Sequence, residues 1–109
     1  MKPLRIQRQR TKGWRMPENT IYVGRGTMWG NPFNVGGNYQ GFFVTQQMAV
    51  ALYRQHVADE MPPLQDVKRS AWKLRGKNLA CFCAPGEVCH ADVLLEIANP
   101  DTQGLSQKV

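Results

Sequence analysis

The sequence lacks long hydrophobic runs and is poor in cysteine and in acidic residues, with 3 cysteines and 8 acidic residues among its 109 residues. A membrane-spanning helix needs about 20 consecutive apolar residues, and no stretch approaches that length. The basic N-terminus has no apolar segment of the kind that a signal peptide carries. We therefore expect a cytoplasmic protein with no membrane partner.

The odd number of cysteines argues against a disulfide framework, which ordinarily needs pairs. All three cysteines lie between residues 81 and 89. In a reducing compartment, clustered cysteines more often bind a metal or take part in chemistry. This cluster is therefore the first candidate for a functional site.

The few acidic residues are unevenly distributed along the chain. Residues 1–58 contain eight basic residues against Glu18 alone, whereas residues 59–109 contain six basic and seven acidic residues. The formal net charge of +6 therefore comes from the N-terminal half. Such asymmetry indicates a polyanionic partner, which we expect to be a nucleotide, a nucleic acid or an anionic surface.

Hydrophobic periodicity predicts one small domain in a chain of this length. Apolar runs at 20–23 and 79–83 predict strands. Helical spacing and end signals predict helices over 45–58, 66–76 and 90–98. Thr45 is predicted to cap the first helix and Asp66 the second, whose apolar face is formed by Val67, Ala71 and Leu74. Helical connections between strands favour parallel pairing. The predicted fold is α/β, with a short, mostly parallel, Rossmann-like sheet flanked by three helices.

Alternation at Leu4 and Ile6 allows a short edge strand near the N-terminus. Residues 34–43 are expected to form a surface loop or small hairpin that could act as a lid. The predicted organisation has three segments: a basic N-terminal arm (1–19), the α/β domain (20–99) and a disordered tail (100–109).

The N-terminal arm combines cations with an aromatic side chain. Cations attract phosphates, and an indole ring can stack on a base. In the alternative interpretation the arm is only solvated, and the tryptophan folds back on the domain. The candidate nucleic-acid contacts are Arg8, Arg10, Lys12, Trp14 and Arg15.

A glycine-rich loop, residues 24–33, follows the first domain strand. Its backbone N–H groups can face an anion, although it lacks both the P-loop and the dinucleotide-binding patterns. In the alternative interpretation it is a tight turn anchored in the core by Trp29 and Phe33. The candidate phosphate or ligand contacts are Gly24, Arg25, Gly26, Thr27, Trp29 and, from the cysteine stretch, Cys83.

Parallel pairing of the two domain strands would place both following loops at one edge of the sheet, where ligands of open α/β sheets bind. The glycine-rich loop would then face the loop over 84–89. We therefore expect one crevice that joins Arg25, Thr27, Trp29 and Asn31 to Cys83, Cys89 and His90.

Two chemistries suit the cysteine stretch. The first is metal binding, for which zinc is a possible cofactor, because four nitrogen and sulfur ligands suffice for a tetrahedral ion. Its candidate ligands are Cys81, Cys83, Cys89 and His90. The cysteine spacing is imperfect for a structural zinc site, and a third interpretation is that the cysteines only fill the core.

The second chemistry is a metal-free thiolate site. A helix N-terminus and a nearby cation both lower a thiol pKa, and Cys89 is predicted to lie where the last helix begins. The candidate catalytic residues are Cys89 and His90 as the reactive pair and Asn31 as a polar group that orients the ligand.

Six blocks of residues, taken together, have a recognisable pattern: Arg8–Arg15, Tyr22–Arg25, Trp29–Phe33, Leu74–Lys77, Leu79–Cys83 and Cys89–Leu94. Over roughly residues 5–99 they resemble one known family, the domain of unknown function 4326 (DUF4326) family. The resemblance implies a small protein of a phage or mobile element, acting in the host cell, and it implies no reaction. Phe82 departs from the family, where Trp is common at this position.

Together these patterns predict a small phage or bacterial protein that binds a nucleotide or nucleic acid at the carboxyl edge of its sheet. Processing of a nucleotide, nucleoside or base by the Cys-His site is left open, and so is whether the protein is an enzyme. The alternative is a non-catalytic inhibitor or interaction module, in one version stabilised by zinc, that acts on a host protein or nucleic acid.

Overall fold

Three short parallel strands form the sheet that positions the site. The computed structural model describes residues 3–84 and 86–100. The sheet order is β1-β5-β2, with both outer strands parallel to the central one. The elements in chain order are β1 (Arg5–Gln7), β2 (Thr20–Tyr22), β3 (Asn38–Tyr39), β4 (Phe42–Phe43), α1 (Gln46–Ala58), α2 (Val67–Ser70), β5 (Asn78–Cys81) and α3 (His90–Ala98).

The parallel pairing predicted for the two domain strands is confirmed, since Ile21 of β2 lies opposite Leu79 of β5. The short strand allowed at the N-terminus is also present, and Ile6 of β1 lies opposite Ala80. Part of the segment predicted as an arm therefore belongs to the sheet. The Rossmann-like description stays a prediction.

The central strand is the most buried element of the sheet. Leu79, Ala80 and Cys81 are all buried, because β5 is paired on both edges and packed against α3. The first residue of β5 is Asn78, and its side-chain oxygen accepts a hydrogen bond from the Leu4 backbone N–H at 2.9 Å. The carboxyl end of β5 is thus held at a fixed place in the middle of the sheet.

The first and last predicted helices are confirmed with nearly the predicted bounds. Thr45 caps α1, as its hydroxyl accepts from the Met48 N–H at 3.1 Å, which satisfies a helix N-terminal donor.

Where the middle helix was predicted, the chain forms a short α-helix, α2, which continues as a 3-10 helix over Ala71–Leu74. Its predicted apolar face is buried at Val67, Ala71 and Leu74. The prediction that Asp66 caps this helix is wrong for its side chain, which makes no capping hydrogen bond. The Asp66 carboxylate instead pairs with Arg69 at 3.6 Å.

The predicted strand over 79–83 ends earlier, at Cys81, so Phe82 and Cys83 begin the next loop. A small hairpin is present, formed by β3 and β4. Within the described ranges, no helix has the length and apolar character needed to cross a bilayer. The disordered tail predicted over 100–109 lies, apart from Pro100, outside the described residues.

Candidate functional site

A crevice of about 430 Å³ lies where β2 and β5 end, and both loops that follow these strands contribute to its walls. Arg25 and Asn31 of the glycine-rich loop line it opposite Cys83 and His90. The predicted convergence of two loops at one sheet edge is therefore observed for these four residues. Three other residues of the predicted set, Thr27, Trp29 and Cys89, are not among the lining residues.

The glycine-rich loop is a tight turn that packs on itself. The Thr27 hydroxyl donates to the Gly24 carbonyl at 2.7 Å. A side chain on Gly30 would place its Cβ 2.9 Å from the same carbonyl oxygen, a contact that real Cβ atoms do not make, so the turn requires glycine there. Gly26 has φ +91°, which also favours glycine.

Two residues predicted to contact a ligand also hold the loop in place. Trp29 is 7 % exposed and belongs to the core. The Asn31 side chain donates to the Ala49 carbonyl at 3.0 Å and accepts from the Phe33 N–H at 2.9 Å. These two hydrogen bonds fix the Asn31 amide on α1 and within the loop, and they leave one N–H and one lone pair of the amide for another partner.

Arginines from two parts of the chain meet at the crevice. Arg25 is exposed, and its guanidinium donates to the Asn34 side chain. Arg10 lies 4.3 Å from the Phe82 ring centre, and Arg8 lies 4.5 Å from the Tyr22 ring centre. Because Arg10 lines the crevice with Tyr22 and Phe82, one residue of the predicted arm forms part of the wall of this site.

The remaining arm residues lie away from the crevice lining. Lys12 and Arg15 are exposed, and Trp14 is half-buried. Their contact with nucleic acid stays a prediction.

The three cysteine sulfurs lie close together, and two of the cysteines, Cys81 and Cys83, line the crevice. Cys81 ends β5, Cys89 is the N-cap residue of α3, and Cys83 lies between them. All three are free thiols. Their Sγ atoms lie within 4.8 Å of one another, and those of Cys81 and Cys89 are 3.1 Å apart. Three cysteines this close can hold a metal ion.

The cluster presents one sulfur to the crevice more than the others. Cys89 is 0 % exposed and Cys81 is 1 % exposed, whereas Cys83 is half-buried. Hydrogen bonds from Cys81 and Cys83 lower the pKa of the Cys89 thiol. The predicted nucleophile is therefore the thiol with the least access to a ligand.

His90 lines the crevice, and a hydrogen bond to the backbone fixes the orientation of its ring. Nε2 lies 2.7 Å from the Val23 carbonyl oxygen, and a carbonyl only accepts, so Nε2 carries a proton. Nδ1 lies 3.7 Å from the Cys89 sulfur. Within the part of the chain that the structure describes, His90 does not belong to the metal-competent group.

Arg5 is the site residue that sequence reasoning missed. Its guanidinium donates to the carbonyls of Glu87 at 2.8 Å and Ala84 at 3.2 Å, and it pairs with Asp92 at 3.4 Å. Burial lowers the pKa of Arg5, but interactions with Cys89 and Asp92 outweigh it and raise the pKa overall. Arg5 therefore holds the cysteine loop and supplies positive charge beside the thiols.

These features define a class: a small α/β domain with a parallel three-stranded sheet and a cysteine cluster at its carboxyl edge. The chain belongs to the family described as Domain of unknown function (DUF4326), which it matches over residues 6–100. The family resemblance drawn from the motifs is thereby confirmed. No curated protein and no solved structure matches the chain.

Proposed function

We propose that the crevice binds the phosphate-bearing part of a nucleotide, either free or at the end of a nucleic-acid strand. The observation that carries the proposal is that Arg10 and Arg25 both line one crevice at the carboxyl edge of a parallel sheet. Open α/β sheets bind their ligands in crevices at this edge. Two guanidinium groups give such a crevice a strong preference for ligands that carry phosphate.

The rest of the lining suits the base of the same ligand. Tyr22, Phe33 and Phe82 present aromatic surface to the crevice, and bases stack on aromatic rings and on guanidinium planes. Arg8 lies over the Tyr22 ring and Arg10 over the Phe82 ring, so one face of each ring is covered by a guanidinium, and a base would stack on the other face or on the guanidinium itself. A volume of about 430 Å³ lies within the range of small-molecule sites.

Thiol-based catalysis is left out of this proposal. Cys89 has no exposed surface, so its thiol is not placed to attack a ligand in the crevice, and the N–H of His90 Nε2 is engaged by the Val23 carbonyl. A reactive Cys89–His90 pair stays a prediction.

The phosphate proposal predicts that AMP binds more tightly than adenosine, by about tenfold, because charge-assisted hydrogen bonds to phosphate are lost in the nucleoside. Isothermal titration calorimetry measures both affinities, and a single-stranded oligonucleotide with a 5′-phosphate serves as the polymer arm. Arg25→Ala is expected to weaken AMP binding by about tenfold. Arg10→Ala is expected to act in the same direction and to flatten the salt dependence of oligonucleotide binding.

Arg69→Ala is the matched control, because Arg69 is an exposed arginine that pairs with Glu60 and Asp66 and does not line the crevice. It should leave AMP affinity unchanged. Equal binding of adenosine and AMP, or equal losses in the Arg25 and Arg69 variants, would contradict the proposal.

The cysteine cluster favours a second function, the holding of a zinc ion that stabilises the domain. Four-coordinate zinc with Zn–S distances of about 2.3 Å separates its sulfurs by roughly 3.8 Å. The separation of 3.1 Å between Cys81 and Cys89 and the limit of 4.8 Å for the trio bracket that value. Soft thiolates also select zinc over hard cations.

Zinc analysis of protein purified without added metal is expected to give about one equivalent per chain. Cys83→Ser should lower this value, since it removes one thiolate from the half-buried position. His56→Gln is the control, because His56 is a buried histidine on α1, outside the cluster. A wild-type content below about 0.2 equivalents would remove the zinc function.

A further inference from the structure

The cysteine trio provides three protein donors for an ion that takes four. Tetrahedral zinc sites with three protein ligands keep their fourth position for water or substrate, whereas structural sites fill all four with protein. The identity of the fourth donor therefore decides whether the metal only stabilises the domain or also contacts what the crevice binds.

The trio is not buried evenly. Cys89 is enclosed, while Cys81 and Cys83 both line the crevice. Arg5 also lies beside the cluster, where it donates to the carbonyls of Ala84 and Glu87, and it does not line the crevice. The accessible side of the three sulfurs is thus the side that faces the crevice.

His90 is the neighbouring protein group that competes for the fourth position. Its Nε2 is committed to the Val23 carbonyl at 2.7 Å, which fixes the plane of the ring. Nδ1 lies beside the Cys89 sulfur at 3.7 Å. In this orientation the ring packs edge-on against Tyr53, with ring centres 5.2 Å apart. The proton on Nε2 leaves Nδ1 with a free lone pair, as in histidines that bind metals. His90 is set apart by distance, because it does not belong to the group of residues whose ligand atoms all lie within 4.8 Å of one another.

We infer that Cys81, Cys83 and Cys89 form a three-thiolate metal site whose fourth coordination position opens into the crevice and takes a neutral nitrogen donor of the bound ligand. The inference rests on the proposed function, because it needs both the metal and the crevice.

Charge decides which end of a nucleotide meets the ion. Three thiolates around a divalent ion leave one net negative charge, which disfavours a phosphate oxygen and suits water or a base ring nitrogen. The phosphate has its own partners in Arg10 and Arg25. The bound nucleotide is therefore oriented with its base toward the thiolates and its phosphate toward the arginines.

Cobalt(II) loaded into metal-free protein tests the open position directly, because its visible spectrum reports the coordination sphere. Imidazole, as a neutral nitrogen donor, should change the spectrum, and inorganic phosphate should leave it unchanged. AMP should change the spectrum, whereas ribose 5-phosphate should bind without changing it. Cys83→Ser should weaken cobalt binding in the same titration.

His90→Ala separates the two candidates for the fourth position. An imidazole effect of equal size in wild type and variant supports an open position. An imidazole effect seen only in the variant shows that His90 fills the position and overturns the inference, as does a spectrum that phosphate changes more than imidazole. If wild-type protein does not take up cobalt, the inference is overturned together with the zinc function. AMP binding to the metal-free protein tests the phosphate proposal separately.

Discussion

Arg5→Met is expected to lower the free energy of unfolding by about 2–3 kcal/mol, measured by urea denaturation in the presence of a reductant. Arg5 donates to the carbonyls of Ala84 and Glu87 and pairs with Asp92, and its side chain is only 14 % exposed. Because methionine keeps most of the apolar stem, the decrease in the free energy of unfolding reports the loss of the guanidinium contacts. The two carbonyls and the carboxylate would be left with poorer partners.

Arg54→Met is the control for this loss. Arg54 also pairs with an acidic residue of α3, Glu96, but their side chains are 52 % and 37 % exposed. Exposed pairs contribute less than about 1 kcal/mol. Equal destabilisation by the two substitutions would show that Arg5 acts as an ordinary surface charge and does not hold the cysteine loop.

Arg5 also shows where sequence reasoning stops. Its partners lie 79, 82 and 87 positions further along the chain, so no local pattern links them. A basic residue near a basic N-terminus is most simply interpreted as part of a solvated arm. The contact becomes visible only once β1 is seen to pair with β5, which places Arg5 beside the start of α3.

The framework of the site was predictable because its signals are local. The apolar runs of β2 and β5, the Thr45 cap and the helical spacing of α3 each depend on neighbouring residues. Parallel pairing then followed from the helices between the strands, and with it the single crevice shared by Arg25 and Cys83.

Roles inside the crevice were less predictable, because they depend on which atoms other side chains have already engaged. Asn31 has the right chemistry to orient a ligand, and the carbonyl of Ala49, 18 positions away, accepts one of its two amide N–H groups. Cys89 has the right position at a helix start, yet the packing of α3 on β5 encloses it. Sequence shows that a group is capable of a contact, and the fold decides whether it is free to make one.

Tyr53 is the residue that ties α1 to the glycine-rich loop. The ring is fully buried, and its hydroxyl donates to the Trp29 carbonyl at 2.7 Å. Burial raises the pKa of Tyr53, so the hydroxyl keeps the proton that it donates. Trp29 lies in the same loop as Arg25, so this hydrogen bond connects the hydrophobic core to one wall of the crevice.

Tyr53→Phe should therefore lower the free energy of unfolding by about 2 kcal/mol, because it leaves a buried carbonyl without its donor. The same change should weaken AMP binding by a smaller factor than Arg25→Ala, since it loosens the loop without removing a phosphate contact. Urea denaturation and calorimetry measure the two effects. Tyr39→Phe is the control, because Tyr39 is half-buried on the hairpin and packs against Phe33. This substitution should lower the free energy of unfolding by less than about 0.5 kcal/mol. If the two variants lose equal stability, the core does not hold the loop through this hydroxyl.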